Sequence, residues 1–169
     1  MNTRLILPLI ITGLLLSGCT TPASNGVTAA DITVEFSKPD DFRDARSSFG
    51  GSTDQAALAT LRTCLQENAA PRLQPGQKLR VTFTDLDLAG EFEPQTGAES
   101  DHIRIIKGIY IPRQVLTFEL TDDAGKVLRQ GTRTLTDLNF QSAALRVGSE
   151  QPYYYDKVLL QNWLSAEFK

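Results

Sequence analysis

The sequence predicts an α+β fold, a two-layer sandwich in which two helices cover a mixed, mainly antiparallel sheet of about five strands. Three observations predict this class. Short runs alternate apolar with polar residues, as strands with one buried face do. Two longer segments repeat apolar residues every three or four positions, as amphipathic helices do. The elements follow as strand, helix, four strands and helix, and two helices can cover the apolar face of one sheet.

The first strand and the first helix come from the beginning of the predicted domain. Alternation over residues 32–36 indicates a half-buried strand. Ser52 and Gln55 have the spacing of a capping box, so the helix is expected to begin there. Asn68 and Pro71 mark its end. Its apolar stripe comprises Ala57, Leu58, Leu61, Cys64 and Leu65.

A second strand follows the helix and should lie parallel to the first, because a crossover helix joins them. Residues 79–84 alternate regularly, but the apolar residues change parity over residues 85–88. A strand that changes its buried face carries a bulge or a twist, or else it ends there. Residues 89–101 are polar and contain glycine, so we expect an exposed loop.

The remaining strands precede the last helix. The isoleucine-rich segment 102–111 is expected to form a strand with a bulge at Gly108. Residues 115–121 and 126–138 flank the turn Asp122-Asp123-Ala124-Gly125, which predicts an antiparallel hairpin. The last helix carries an apolar stripe with Tyr155, Leu159 and Trp163 at steps of four.

The N-terminal segment has the pattern of a signal peptide. Arg4 precedes the apolar run 5–16, which as a helix would be about 18 Å long. A bilayer core is about 30 Å thick, so the run is too short to span it. Leu16-Ser17-Gly18-Cys19 resembles the lipobox of bacterial lipoproteins, and an ordinary cleaved signal peptide is the alternative.

The lipobox resemblance implies that residues 1–18 are removed and that Cys19 carries diacylglycerol on its sulfur and an acyl chain on its amine. Three chains would anchor the protein stably, since two already suffice. Thr20 follows the cysteine, whereas aspartate there resembles an inner-membrane retention signal. The expected location is therefore the periplasmic face of the outer membrane. Residues 19–30 then form a lipidated flexible tether, and residues 31–169 form one domain.

Several short motifs mark the domain. They include ITVEF at 32–36, DLDLAG at 85–90, IRI at 103–105, LTD at 135–137 and the terminal Trp163. Together they resemble a family of proteobacterial exported proteins and lipoproteins known as domain of unknown function 3016, over roughly residues 31–165. The resemblance implies no activity and no catalytic residue, but it directs attention to the DLDLAG segment.

Asp85, Asp87 and His102 are the residues most suited to chemistry. Two aspartates at i and i+2 on a strand share one face, with Cβ atoms about 7 Å apart. With the single histidine they could form a metal site or an acid–base pair. Aspartates at a strand end also bond loop amides, and Arg80 or Arg104 could pair with them. We prefer this structural interpretation, assign no catalytic residue and no metal, and retain the three side chains as a candidate functional surface.

Tyr153 and Tyr154 complete that candidate surface. They stand directly before the stripe of the last helix, where Tyr155 is expected to be a core residue. Exposed aromatic side chains can stack on sugar rings or on a partner surface. They can equally attach the helix to the sheet.

Composition and missing motifs narrow the function. The formal net charge of −3, without a basic stretch, argues against nucleic-acid binding. No P-loop, dinucleotide fingerprint, H-E-x-x-H, C-x-x-C or G-x-S-x-G motif is present. With Cys19 lipidated, Cys64 is alone and suits a buried thiol. We expect a non-enzymatic lipoprotein without a cofactor that binds an envelope protein or glycan. The alternatives are an enzyme centred on Asp85, Asp87 and His102, and a purely structural envelope protein.

Overall fold

The computed structural model describes residues 26–28, 31–93, 102–145 and 150–169. The predicted signal peptide and Cys19 lie outside these ranges. Within the predicted tether, Val27 packs against the core. Thr28 donates hydrogen bonds from its amide and its hydroxyl to the Asp31 carboxylate, each 2.9 Å long. None of the helices in the described ranges has the length and apolar character that a membrane crossing requires.

Four strands form the central sheet. They are β1 (Ile32–Phe36), β2 (Lys78–Asp87), β5 (Arg113–Thr121) and β6 (Val127–Thr136). The order is β1-β2-β5-β6, with β1 parallel to β2 and the other neighbours antiparallel. Two short strands, β3 (Glu91–Phe92) and β4 (Arg104–Ile105), pair antiparallel in a separate sheet. The predicted α+β class and the mainly antiparallel sheet are therefore confirmed.

Helix α1 (Gln55–Ala69) begins with a different cap from the predicted one. The Asp54 carboxylate accepts hydrogen bonds from the amides of Ala56 (3.0 Å) and Ala57 (3.1 Å), which the first helical turn leaves without partners. The capping box at Ser52 is wrong, because that residue lies in the preceding loop and its carbonyl accepts the Ser47 amide. The expected end before Pro71 is confirmed.

The core lies between one face of the sheet and both helices, the second being α2 (Tyr154–Glu167). The opposite face of the sheet is polar, with Thr33, Arg80 and Thr117 exposed. This is the two-layer arrangement that the sequence predicts. The largest fully buried side chains include Ile32, Leu61, Leu65, Leu79, Phe83, Leu86, Leu116, Leu160 and Leu164.

The change of parity in β2 is a bulge. The pairing with β5 shifts between Phe83 and Asp85, so Leu86 and Leu88 point into the core, as Phe83 does before the shift. The predicted hairpin is also confirmed. Its turn is closed by a hydrogen bond from the Asp122 amide to the Lys126 carbonyl, 3.0 Å long.

The strand predicted over residues 102–111 is wrong. Only β4 forms there, and Gly108 lies in the turn after it, so it is no bulge. The alternation of isoleucine with polar residues stops at Ile106, and Ile103 and Ile109 are 53% and 74% exposed. The sheet therefore has four strands within the described ranges, with β3 and β4 apart from it. Residues 94–101 of the predicted loop lie outside the described residues.

Candidate functional site

A cavity of about 380 Å³ lies where the start of α2 meets β4 and the loop before α1. It contains three of the five predicted surface residues, His102, Tyr153 and Tyr154. The other two, Asp85 and Asp87, do not line it. The lining residues are Ser47, Asp54, Ala89, Phe92, His102, Arg104, Ile106, Glu150, Gln151, Pro152, Tyr153, Tyr154, Tyr155 and Asp156.

Arg104 forms one wall of the cavity and is held from several sides. Its guanidinium makes a two-pronged ion pair with the Asp44 carboxylate, at 2.6 and 3.2 Å. It also donates to the carbonyls of Gly90 (2.9 Å) and Arg46 (3.2 Å), and it lies 4.4 Å from the centre of the Phe92 ring. An arginine fork with this many partners is fixed in place, and its charge is neutralised by Asp44.

Gly90 allows β3 and β4 to approach each other at this wall. Its φ of +86° is a conformation that residues with a side chain rarely adopt. A Cβ atom there would lie 2.6 Å from Ile106 Cδ1 and 2.8 Å from the Ile105 carbonyl oxygen. The DLDLAG segment therefore ends in a glycine because the β4 backbone passes directly over it.

Tyr153 stands at the start of α2 in the left-handed conformation, with φ of 55° and ψ of 29°. A residue other than glycine in this region is uncommon, and such residues cluster at functional sites. Its hydroxyl donates a 2.5 Å hydrogen bond to Asp54, the residue that caps α1. Burial and this carboxylate raise the pKa of Tyr153, so the phenol stays protonated.

Asp156 lies at the bottom of the cavity and is 2% exposed. Its carboxylate accepts the Ala89 amide at 3.2 and 3.4 Å. Burial raises the pKa of Asp156 to about 7, while the Ala89 amide and the charge of Arg104 oppose that shift. Near neutral pH this group therefore exists both as an acid, which donates a hydrogen bond, and as a carboxylate, which accepts one.

Two further tyrosines shape the opening. Tyr155, predicted to be core, is half-buried and packs edge-on against Phe140, with ring centres 5.1 Å apart. Tyr154 packs edge-on against Tyr155 at 5.4 Å. Tyr154 also lines a groove between α1 and α2, whose lining includes Cys64. Its ring is therefore held on one side and accessible on another.

Asp85 and Asp87 lie near the end of β2, and each is close to an arginine. Asp85 accepts Arg113 Nη1 at 2.6 Å and the Arg43 amide at 2.9 Å. Asp87 lies 3.6 Å from Arg43 Nε. Burial and the neighbouring Asp44 raise the pKa of Asp87 to about 6, while Arg43 opposes the shift.

The arginines that pair with these aspartates are thus not those expected. Arg43 and Arg113 take the places suggested for Arg80 and Arg104. Among the described residues, no group of three or more histidine, cysteine, aspartate or glutamate side chains is arranged to hold a metal ion.

Motifs alone did not identify Asp44, Asp54, Arg104 or Asp156 as residues of this site. One of them did leave a pattern in the sequence. Asp156 precedes Leu159, Leu160 and Trp163 by three, four and seven positions, so it is an acid on the buried stripe of α2. A charged residue is rarely buried without a partner, so this position was a signal of the site that the sequence analysis missed.

The fold and this site define an α+β domain with an aromatic and acidic cavity at a helix start. The chain matches the family described as protein of unknown function DUF3016 over residues 30–166, and it belongs to that family. The resemblance of its motifs is thereby confirmed.

A search of curated proteins finds no match. Two solved structures are similar to the chain. A dodecamer of a PelC variant from Paraburkholderia phytofirmans has 13% identity and a TM-score of 0.37, covering 85% of this chain and 90% of that one. A minor lipoprotein from Acinetobacter baumannii has 10% identity and a TM-score of 0.29, and the match covers 81% of this chain and 87% of that one. Both TM-scores are below 0.5, so we infer nothing further from these structures.

Proposed function

We propose that this protein is a lipid-anchored lipoprotein of the outer membrane, facing the periplasm, and that its cavity binds an envelope component without catalysis. The observation that carries the proposal is the cavity at the start of α2, where Tyr153, Tyr154 and Asp156 meet. A pocket of about 380 Å³ falls within the range of roughly 300–1,000 Å³ typical of small-ligand sites.

The lining favours a segment of an envelope glycan over an envelope protein. Tyr154 presents an accessible aromatic ring, which can stack on the apolar face of a sugar. His102 and Glu150 are exposed on the lining and can hydrogen-bond hydroxyl groups, as can the carboxyl group of Asp156. A recess of this size admits a sugar unit or a single side chain, whereas a folded protein partner needs a broader surface.

The charged groups of the cavity support binding more than catalysis. Arg104 is neutralised by Asp44, and Asp54 is occupied by the cap of α1 and by Tyr153. The described residues do not favour an enzyme centred on Asp85, Asp87 and His102, because His102 lines the cavity and the two aspartates do not. Likewise, nothing there favours a purely structural role over binding.

A photo-crosslinking amino acid at position 154, introduced in living cells, tests the cavity. The matched control places the same amino acid at Thr117, on the exposed face of the sheet. We expect an adduct from position 154, absent from position 117, that collapses on digestion with glycan hydrolases. An adduct that resists these hydrolases and contains peptides of a second protein by mass spectrometry means a protein partner and overturns the glycan. Equal adducts at both positions, or none, overturn the cavity as the binding site.

The anchor has its own test. Wild-type protein should incorporate labelled palmitate and leave the membrane only in detergent, because acyl chains hold it there. The variant Cys19→Ala should take up no label and appear in the soluble fraction, whereas Cys64→Ala should behave as wild type. Wild-type protein that washes from membranes in salt alone would contradict the proposed location.

A further inference from the structure

The two edges of the central sheet are finished differently. At one edge, β1 has five residues and lies against α1. The carbonyl of Ile32 accepts Gln66 Nε2 at 3.0 Å, and that of Val34 accepts Arg62 Nε at 3.5 Å. Side chains of α1 thus occupy backbone groups that another strand would need, and they protect this edge from pairing.

At the other edge, β6 has ten residues and, among the described strands, pairs only with β5. It contains no proline, and its one irregularity lies beside the hairpin turn, before Arg129. The Thr132 carbonyl of β6 accepts a hydrogen bond, 3.0 Å long, from the side chain of Arg133 in the same strand. A long and regular edge of this kind is a template for a further strand.

The charged side chains of β6 lie on the helical side of the sheet, away from its exposed face. Arg129 and Arg133 lie on the helical side of the sheet, where both meet Glu167 of α2. Arg133 binds that carboxylate through two nitrogens, at 2.8 and 3.0 Å. The opposite row of β6 is exposed and without charge, and it comprises Leu128, Gln130, Thr132, Thr134 and Thr136.

We propose that β6 pairs antiparallel with β6 of a second copy of this chain, so that two four-stranded sheets become one continuous sheet. A twofold arrangement sets the uncharged row opposite itself, and threonine pairs across strands are favourable. Like charges opposite each other would oppose pairing. Here Glu167 of each copy pairs with both arginines, offsets one of their two charges and holds the side chains on the helical side of the sheet, so the exposed rows that meet carry no charge. Such an interface is isologous and closes as a dimer.

The test uses the full-length chain in detergent and measures its mass by sedimentation over a range of concentrations. The double variant Thr132→Lys, Thr134→Lys places four ammonium groups across the twofold axis. The matched control is Thr117→Lys, because Thr117 is the direct partner of Thr132 on β5 and is also exposed on the same face. Urea unfolding establishes that each variant is folded.

We expect wild type and Thr117→Lys to have the same dimer dissociation constant. The dissociation constant of the double variant should be at least about tenfold higher. Hydrogen exchange of wild type should protect the amides of β6 more strongly as the concentration rises, with β1 unchanged. A monomeric wild type with β6 amides independent of concentration overturns the proposal. So does a dimer that the two lysines leave intact.

Discussion

Replacing Asp156 with asparagine should remove a pH dependence of stability that the wild-type protein carries. The side chain is 2% exposed, and burial raises its pKa from 3.8 to about 7. Asparagine has nearly the same shape, and its amide oxygen can still accept the Ala89 hydrogen bond. It cannot ionise, so the variant isolates the effect of the charge.

The direction follows from the protons that each state binds. Between the unfolded and folded pKa values of Asp156, the folded chain holds a proton that the unfolded chain has lost. Stability from this group is therefore full below about pH 4 and is lost as the pH rises through about 7. These two pKa values give a loss on the order of 3 kcal/mol in the free energy of unfolding between about pH 5 and pH 8.

Urea unfolding of wild type and Asp156→Asn at several pH values from 5 to 8 measures this loss. From pH 5 to pH 8, the unfolding free energy of the variant minus that of wild type should rise by about 3 kcal/mol. Contributions from other groups, such as Asp87, are common to both proteins and cancel. Glu150→Gln is the matched control, since it lines the same cavity but is exposed, and it should follow wild type. Parallel curves for wild type and Asp156→Asn would refute the reasoning.

Three further changes test the surroundings of the cavity. Arg104→Leu leaves Asp44 buried without its partner and should cost about 3–5 kcal/mol of unfolding free energy in urea. The side chain of Arg43 is 65% exposed, so Arg43→Ala should cost at most about 1 kcal/mol, and equal costs would contradict the importance of the Arg104–Asp44 ion pair. Gly90→Ala adds a Cβ atom where backbone and side chain already lie, and should cost at least about 2 kcal/mol from left-handed strain and crowding; a neutral effect would contradict the geometry. Burial raises the pKa of Cys64 to about 11, so at pH 8 a thiol reagent should modify the folded protein slowly and the urea-unfolded chain quickly. Rapid modification of the folded protein would contradict a buried, protonated thiol.

Local sequence patterns predicted most of the helices and strands. The parity change in β2 predicted a bulge, a twist or the end of the strand, and the structure has the bulge, because an extra residue lets Phe83 and Leu86 reach one core. The segment 102–111 failed for the opposite reason. Its isoleucines matched strand composition without sustained alternation, and composition alone does not say which neighbour a strand has. Within the described part of the chain, its partner is the two-residue β3.

The candidate site also contains residues that a local pattern predicted and residues that only the fold brings together. Tyr153 and Tyr154 were found because they stand beside the stripe of a helix, which is a local feature. The clamp between Arg104 and Asp44 joins residues that are 60 positions apart. A pair of opposite charges so far apart leaves no periodicity and no motif. The sequence therefore suggested Asp85 or Asp87 as a partner for Arg104, whereas the structure pairs Arg104 with Asp44.

The two helix starts meet at this cavity, and that arrangement determines how a ligand would be held. Asp54 caps α1 and also accepts a hydrogen bond from the hydroxyl of Tyr153, the residue directly before α2. Asp156 follows within the first turn of α2 and holds the Ala89 amide beside β3. Asp54, Tyr153 and Asp156 are therefore held at the starts of helices that the core already orders. A ligand would meet these three groups in fixed positions, so little of its binding free energy would be lost in ordering them.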